Sequence, residues 1–370
     1  ADTITGGRGS DIITGGAGAD IFTYTATNQS NTSTPDSITD FVSGTDKIAI
    51  TVDLTAKVSA QTYNTTLTAA KADITAAQNA LTGVAGQIVY VTGEEALYVN
   101  DTSDNLLTSL DYKININPAA TATATLAEGD INMTISGSTT ATNEITTGGG
   151  ADTITGGNVA DIISSGAGAD ILDGGTGNDV ITGGTGADTI DVGTGVDTVI
   201  YSSITDGLSA VVTITNATST ADDFAAVAGT NVDSIGNAWA VASDFIKIDG
   251  TLEATLEASA VDTLIANNGA NLDFDATGIA ILTGNSATLA ADNFGDVSEV
   301  IAKFNASNGT PANAAAGDEI LFTLEGNTAN LTGLYYLKDV DGNGDIGVGD
   351  EIALLAIIAD DTLTATEVIL

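Results

Sequence analysis

The sequence predicts a mainly β protein built from stacked nine-residue repeats. The repeats fall in two blocks, each followed by a β-rich cap with a short helix. Three observations carry this expectation. Asp152, Asp161, Asp170, Asp179, Asp188 and Asp197 stand nine residues apart without a slip. Two places after each comes an apolar residue: Ile154, Ile163, Leu172, Ile181, Ile190 and Val199. The same grammar opens the chain at Asp2, Asp11 and Asp20, followed by Ile4, Ile13 and Phe22.

Each unit reads as a turn and then a strand. A Gly-rich hexapeptide precedes each aspartate, cleanest at 174–179 (GGTGND) and 183–188 (GGTGAD). Glycines tolerate positive φ and close backbone approach, so this segment can bend tightly. The residues that follow, such as Thr-Ile-Thr at 153–155 and Val-Ile-Thr at 180–182, are β-formers with one aliphatic side chain to turn inward. A single unit cannot bury that side chain, whereas stacked units make a continuous narrow core.

Composition narrows the chemistry. The 370 residues carry 49 acidic against 8 basic side chains, a formal charge of −41. So acidic a surface repels nucleic acid and anionic lipid, which are bound mainly through Lys and Arg. It also repels itself unless counter-ions neutralise it. Charged residues are only 15% of the chain and hydrophobic ones 43%, so this is not a disordered polyelectrolyte. With no Cys and no His, disulfides, thiolate sites and the commonest general base are excluded. No apolar run approaches the ~20 residues of a membrane-spanning helix. The start, ADTITGG, lacks the pattern of a secretory leader and stands inside a repeat, so a fragment of a longer chain is expected.

Stacking places the aspartates in a ladder at the spacing of adjacent strands, about 4.8 Å. Carboxylates that close repel one another, and hard divalent cations held by carboxylate and turn carbonyl oxygens resolve the conflict. Calcium is the expected cofactor, in several copies, because it accepts many oxygens in irregular geometry. The candidate ligands are Asp2, Asp11, Asp20, Asp152, Asp161, Asp170, Asp179, Asp188 and Asp197. Turn positions Gly6, Gly9, Gly15, Gly18, Gly150, Gly168, Gly174, Gly177, Gly183, Gly186 and Gly195 join them.

The pattern GGxGxDxUx resembles the RTX family of calcium-binding, type I secreted bacterial proteins. The resemblance covers residues 1–23 and 147–200. It implies a parallel β-roll with two nonapeptides per coil and calcium in the turns on both sides. Val159, Ser165 and Val192 depart from the glycine pattern, and Asn143 stands where another aspartate would fall.

The intervening stretches are similar to segments that cap β-rolls in this family. Asp36-Ser-Ile-Thr-Asp40-Phe41 and Asp46-Lys47-Ile48 follow the first block, and Asp233-Ser-Ile with Asp244-Phe-Ile-Lys-Ile echoes them after the second. A helix is expected with Leu67, Ala70, Ile74, Ala77 and Leu81 on one face, and another with Val297, Ile301 and Phe304. Each leads into alternating strands, from Ile88 and from Ile320. The expected divisions are 1–30 (short roll), 31–136 (cap), 137–203 (roll) and 204–370 (C-terminal cap).

The second cap holds one more motif. Asp339, Asp341, Asn343, Asp345 and Asp350 place oxygens at positions 1, 3, 5, 7 and 12 of a loop with Gly344 at position 6 and Ile346 at position 8. The spacing resembles a twelve-residue EF-hand or dockerin calcium loop, here following a strand. Residues 352–370 resemble the uncleaved export signals of type I substrates, and also read as a closing strand.

Nothing in this pattern points to catalysis, and a non-enzyme is expected. Low aromatic and basic content with abundant Ala, Thr and Gly resembles the surface-layer proteins exported by type I secretion. The expected role is therefore a structural subunit of the bacterial cell surface that self-associates. The alternatives are the end of a large adhesin that binds a surface glycan, or the RTX tail of an exoenzyme. Expected partners are calcium, other copies of the chain or a cell-surface glycan, and the type I machinery during export, with no nucleic acid and no transmembrane segment. Carboxylates outside the repeats, Glu94, Glu95, Asp222, Asp223 and Glu253, are candidates for bridging copies.

Overall fold

In a computed structural model the described residues are 1–53, 61–64, 67–71, 87–91, 95–99, 112–116, 126–203, 205–206, 212–213, 233–236, 245–248, 264–267, 279–282, 294, 297–308, 318–325, 331–343, 346–347, 350–359 and 368–369. They form two compact units, Ala1–Ile171 and Leu172–Leu370.

The first unit is built on a parallel sheet that runs in the order Thr3–Ile4, Ile21–Tyr24, Lys47–Asp53, Ile131–Ser136, Thr153–Gly157. Thr3 pairs with Ile21 and Ile4 with Phe22, eighteen residues on, which is two nonapeptides per turn of the coil. The opposite wall is made of Ile12–Ile13 and Asp36–Ile38 at one end, and of Gln61–Asn64, Asn143–Thr146 and Ile162–Ser164 at the other. The two repeat blocks, separate in sequence, thus share one sheet: Lys47–Asp53 and Ile131–Ser136 are the coil steps that join them. Tyr112–Ile116, Ala96–Val99 and Ile88–Val91 continue the short wall as an antiparallel set.

The second unit repeats the scheme. Asp233–Gly236 pairs in parallel with the roll strand Thr189–Asp191, and Phe245–Ile248 with Thr198–Tyr201. The echo of the first cap motif therefore plays the same part here, extending the last two roll strands by one step each. Beyond Asp233–Gly236 the sheet continues through Glu351–Ala359, Leu331–Asp339 and Asp318–Glu325, the latter pairs antiparallel.

The interior is the aliphatic stripe expected from the repeats. Ile13, Phe22, Ile154, Ile163, Leu172, Ile181, Ile190 and Val199 are buried, while Ile4 in the first strand is half-buried. Strand alternation puts the residue just before each of these on the outside: Ile12 is 82% exposed and Ile162 48%.

The helix expected at Val297 is present as Val297–Asn308, with Val300, Ile301 and Phe304 buried. Phe304 packs edge-on against Phe322 of the neighbouring strand at 4.7 Å between ring centres. The helix expected from Leu67 differs. Leu67–Lys71 is a strand, parallel to Ile88–Val91. A short Ala/Thr-rich segment satisfies either period, and here a sheet edge offers the backbone its partners. Ile74, Ala77 and Leu81 lie outside the described residues. Among the described residues no helix is long and apolar enough to cross a membrane.

Candidate metal centres

The coil brings the repeat aspartates together by a bond that the sequence pattern alone does not display. Asp20, Asp152, Asp161, Asp170 and Asp197 each accept a backbone N–H from the coil before them. Asp20 Oδ1 takes the amide of Asp2 at 2.7 Å, Asp170 Oδ1 that of Asp152 at 2.7 Å, and Asp197 Oδ1 that of Asp179 at 2.8 Å. On the other wall Asp161 Oδ1 takes the amide of Asn143 at 2.6 Å. Each of these aspartates is thus a rung between coils, with its Oδ1 bonded to the backbone. Asp20, Asp152, Asp161, Asp170, Asp179, Asp188 and Asp197 are buried, Asp11 is half-buried and Asp2 is exposed.

The glycines serve this arrangement in two ways. At the first position of the hexapeptide the backbone lies on the carboxylate of its own repeat. A Cβ on Gly15 would stand 2.7 Å from Asp20 Oδ2, and one on Gly174 2.8 Å from Asp179 Oδ2; Gly6 and Gly183 lie likewise on Asp11 and Asp188. At the fourth position Gly9, Gly18, Gly168, Gly177, Gly186 and Gly195 have φ between 118° and 157°. A side chain at Gly150, Gly168 or Gly195 would run into the carbonyl of Ile131, Gly150 or Gly177 in the neighbouring turn. Turn carbonyls and carboxylates therefore converge with no room for a side chain between them. The second glycines, Gly7, Gly16, Gly175 and Gly184, also need positive φ, 86° to 96°. Sequence reasoning left them out because adjacent glycines look alike until the backbone is seen.

Three carboxylates outside the nonapeptides extend the ladder. Asp36 Oδ1 accepts the amide of Asp11 at 2.9 Å, and Asp46 Oδ1 that of Asp20 at 3.0 Å. Asp40 closes the turn above by accepting from Gly15 and Gly16 at 2.9 and 2.7 Å. Asp36 and Asp46 were legible only as part of a cap motif, since a lengthened turn hides their place in the count.

The donor set fits a hard cation. Asp11 Oδ2, Asp20 Oδ2 and Asp36 Oδ2 are buried without a hydrogen-bond partner. Asp11 Oδ2 and Asp36 Oδ2 both lie 3.0 Å from where a Cβ on Gly6 would be. Burial, with the Asp11 charge adding to it, pushes the Asp36 carboxyl up to about 6 although the Asp11 amide pulls it down. Burial likewise raises Asp161, against the pull of its two Asn143 hydrogen bonds. These are buried carboxylates whose charged form a nearby cation would stabilise. All the donors are oxygens, as calcium requires.

The second unit holds the separate loop. Asp339, Asp341 and Asp350 each bring a carboxylate oxygen within 4.8 Å of the others. Asp339 and Asp350 are buried, and Asp341 and Asn343 are exposed. Asp339 Oδ1 accepts the amide of Gly342 at 2.7 Å; Asp350 accepts those of Val340 and Gly347 at 2.7 and 2.8 Å. Among the described residues the left-handed bend is at Gly342 (φ 75°), while Gly344 and Asp345 lie outside them. Ile346 is buried as its position predicts. Asn305 of the helix clamps it, accepting its N–H at 2.8 Å and donating to its carbonyl at 3.0 Å.

Comparison with family models agrees with this geometry. The model of the RTX calcium-binding nonapeptide repeat matches residues 139–172 and 164–199. The model described as the peptidase M10 serralysin C-terminal region matches residues 2–107, which hold the first block and most of its cap. No curated protein matches the chain.

Proposed function

Because this chain is an RTX protein, calcium-binding, secreted by the type I route and extracellular, we propose that it is a structural subunit of the cell surface whose fold is completed by calcium outside the cell. The observation that carries the proposal is the ladder: each roll coil adds buried carboxylates, and their charge is incompatible with a dry interior until cations arrive. Calcium would be held by the repeat aspartates, by the turn carbonyls of their glycine hexapeptides, and by Asp339, Asp341 and Asp350 in the C-terminal loop. It would supply charge neutralisation only. The protein's own part is to set the oxygens: the amide-to-carboxylate rungs orient each Oδ1 and leave Oδ2 facing the turn. Extracellular modules bind calcium at about 10⁻⁴–10⁻³ M, so the chain would stay unfolded and exportable inside the cell and fold outside it.

Self-association is the structural part of the proposal, and an acidic surface supports it by making contacts between copies depend on bridging cations. Of the carboxylates suggested for bridging, Glu95 lies among the described residues and Glu94, Asp222, Asp223 and Glu253 do not. Light scattering and electron microscopy on the full-length protein across a calcium titration test this. The expected result is folding first and sheets or filaments at higher calcium. Folded monomers at high protein and calcium would overturn it. The match of residues 2–107 to the serralysin C-terminal region favours a second reading, the tail of a secreted exoenzyme, which those monomers would leave ahead.

A further inference from the structure

One step of the coil is closed by a lysine side chain. Between the turn that ends at Asp46 and the turn that ends at Asp130, a lysine reaches across. Lys47 Nζ donates to the Gly129 carbonyl at 2.7 Å and lies 3.7 Å from Asp130 Oδ1. Asp130 is buried, and protein donors surround it. Its Oδ1 accepts the Gly44 amide at 2.7 Å; its Oδ2 accepts the Ala127 amide at 2.8 Å and the Ser43 hydroxyl at 2.5 Å. A turn carbonyl and a carboxylate from one turn, met by a positive charge from the next, is the chemistry that the ladder elsewhere leaves to a cation from solution.

We propose that Lys47 is a tethered cation. Its ammonium takes the place of a calcium ion at the step between Lys47–Asp53 and Ile131–Ser136, so that this step forms without calcium. The inference rests on the calcium reading of the ladder. A second substitution of the same kind stands nearby, at the position where the repeat count expects an aspartate. The Asn143 side-chain amide donates to Asp161 Oδ1 at 2.9 Å, to the Gly156 carbonyl at 3.0 Å and to the Ser138 carbonyl at 3.4 Å. Again an N–H donor sits among carbonyl and carboxylate oxygens. The two residues lie where one repeat block hands over to the other, and together they make the join a part of the roll that is independent of calcium. The join can then form outside the cell before calcium is bound, and it can template the coils on either side.

Hydrogen exchange on the full chain, in chelator and in millimolar calcium, tests this. In the unaltered protein Lys47–Asp53 and Ile131–Ser136 are expected to keep their protection in chelator while the roll strands Val180–Thr182 and Thr198–Tyr201 lose theirs. In Lys47→Ala the join is expected to exchange at least about tenfold faster in chelator and to regain protection when calcium is added. Rescue by calcium is what a merely structural lysine would not show. Roll protection in calcium serves as the control that the variant folds. A join unchanged by Lys47→Ala in chelator, or one lost with and without calcium, overturns the proposal. Roll strands that keep their protection in chelator in the unaltered protein would overturn the calcium reading itself.

Discussion

Two kinds of coil step stand side by side in the first unit. At the step from Asp152 to Asp170 the buried carboxylate takes the backbone amide of the earlier coil, with the Gly150 carbonyl close against the turn of the later one. At the step from Lys47 to Asp130 the carboxylate meets two amides, a hydroxyl and an ammonium. Both steps pair backbone from coil to coil and bury aliphatic side chains. The difference teaches that the geometry of the roll does not itself demand calcium. What favours it is the choice of acidic side chains buried at each step, where Lys47 brings its own positive charge to Asp130.

The largest expected effect follows from removing the ion. Chelation of the full-length protein should abolish the β signal of the roll in circular dichroism and leave the join. Each site occupied at a hundredfold over its dissociation constant contributes about 2.7 kcal/mol, so several sites together decide whether the roll folds. Zinc should not restore it, since the donors are oxygen alone.

Next come the two residues Ile163 and Ile162, neighbours on one strand that face opposite ways. Ile163→Ala should cost about 2–5 kcal/mol in denaturant unfolding with calcium present, the usual range for a truncated core aliphatic. Ile162→Ala should stay within about 0.5 kcal/mol, because that side chain faces outward. Equal costs would mean that the stripe is not the core.

Asp179→Ala should weaken calcium binding and its cooperativity more than Asp11→Ala does, by about tenfold or more in affinity, since coupled neighbours share the loss. Asp179 is buried in an unbroken run of repeats, whereas Asp11 is half-buried and leans on the cap residue Asp36. Calorimetry that returned equal losses would show that turns bind independently.

A separate effect is expected at the glycine that lies on its own aspartate. Gly174→Ala should cost about 1–3 kcal/mol through overpacking against the Val192 carbonyl and Asp179 Oδ2, measured by the same unfolding experiment. No loss there would mean that the turn has room for a side chain and that the oxygens do not converge.

The roll itself was legible in the sequence. Aspartate, glycine and aliphatic positions recur at a fixed period, and their burial and register follow from it. What escaped was everything that keeps the register while breaking the count. Asp36 stands 25 residues after Asp11 and Asp46 stands 26 after Asp20, where the repeats use 18. The extra residues are absorbed in the turn, so the strand stays in step while the spacing is lost. Lys47 and Asp130 are further apart still, and no local pattern joins them. The strand Leu67–Lys71 was misread because its period is ambiguous over so few residues. The acidic loop was legible in its ligand spacing and its Ile346 anchor, but the Asn305 clamp comes from a distant helix.

The rungs between coils have a direction. In each, the amide belongs to the earlier coil and the carboxylate to the later one: Asp2 to Asp20, Asp11 to Asp36, Asp152 to Asp170, Asp179 to Asp197. A stack of such coils therefore has a head and a tail of opposite valence. For these rungs the leading face shows carboxylate acceptors and the trailing face amide donors, while the strand-ladder bonds, such as Ile21 N–H to the Asp2 carbonyl and Thr198 N–H to the Asp179 carbonyl, run the other way. Coils can be added at either end by one rule, like links of a chain with a hook at one side and an eye at the other. Turned around, a coil would set hook against hook, so the stack can grow in length but cannot be assembled backwards.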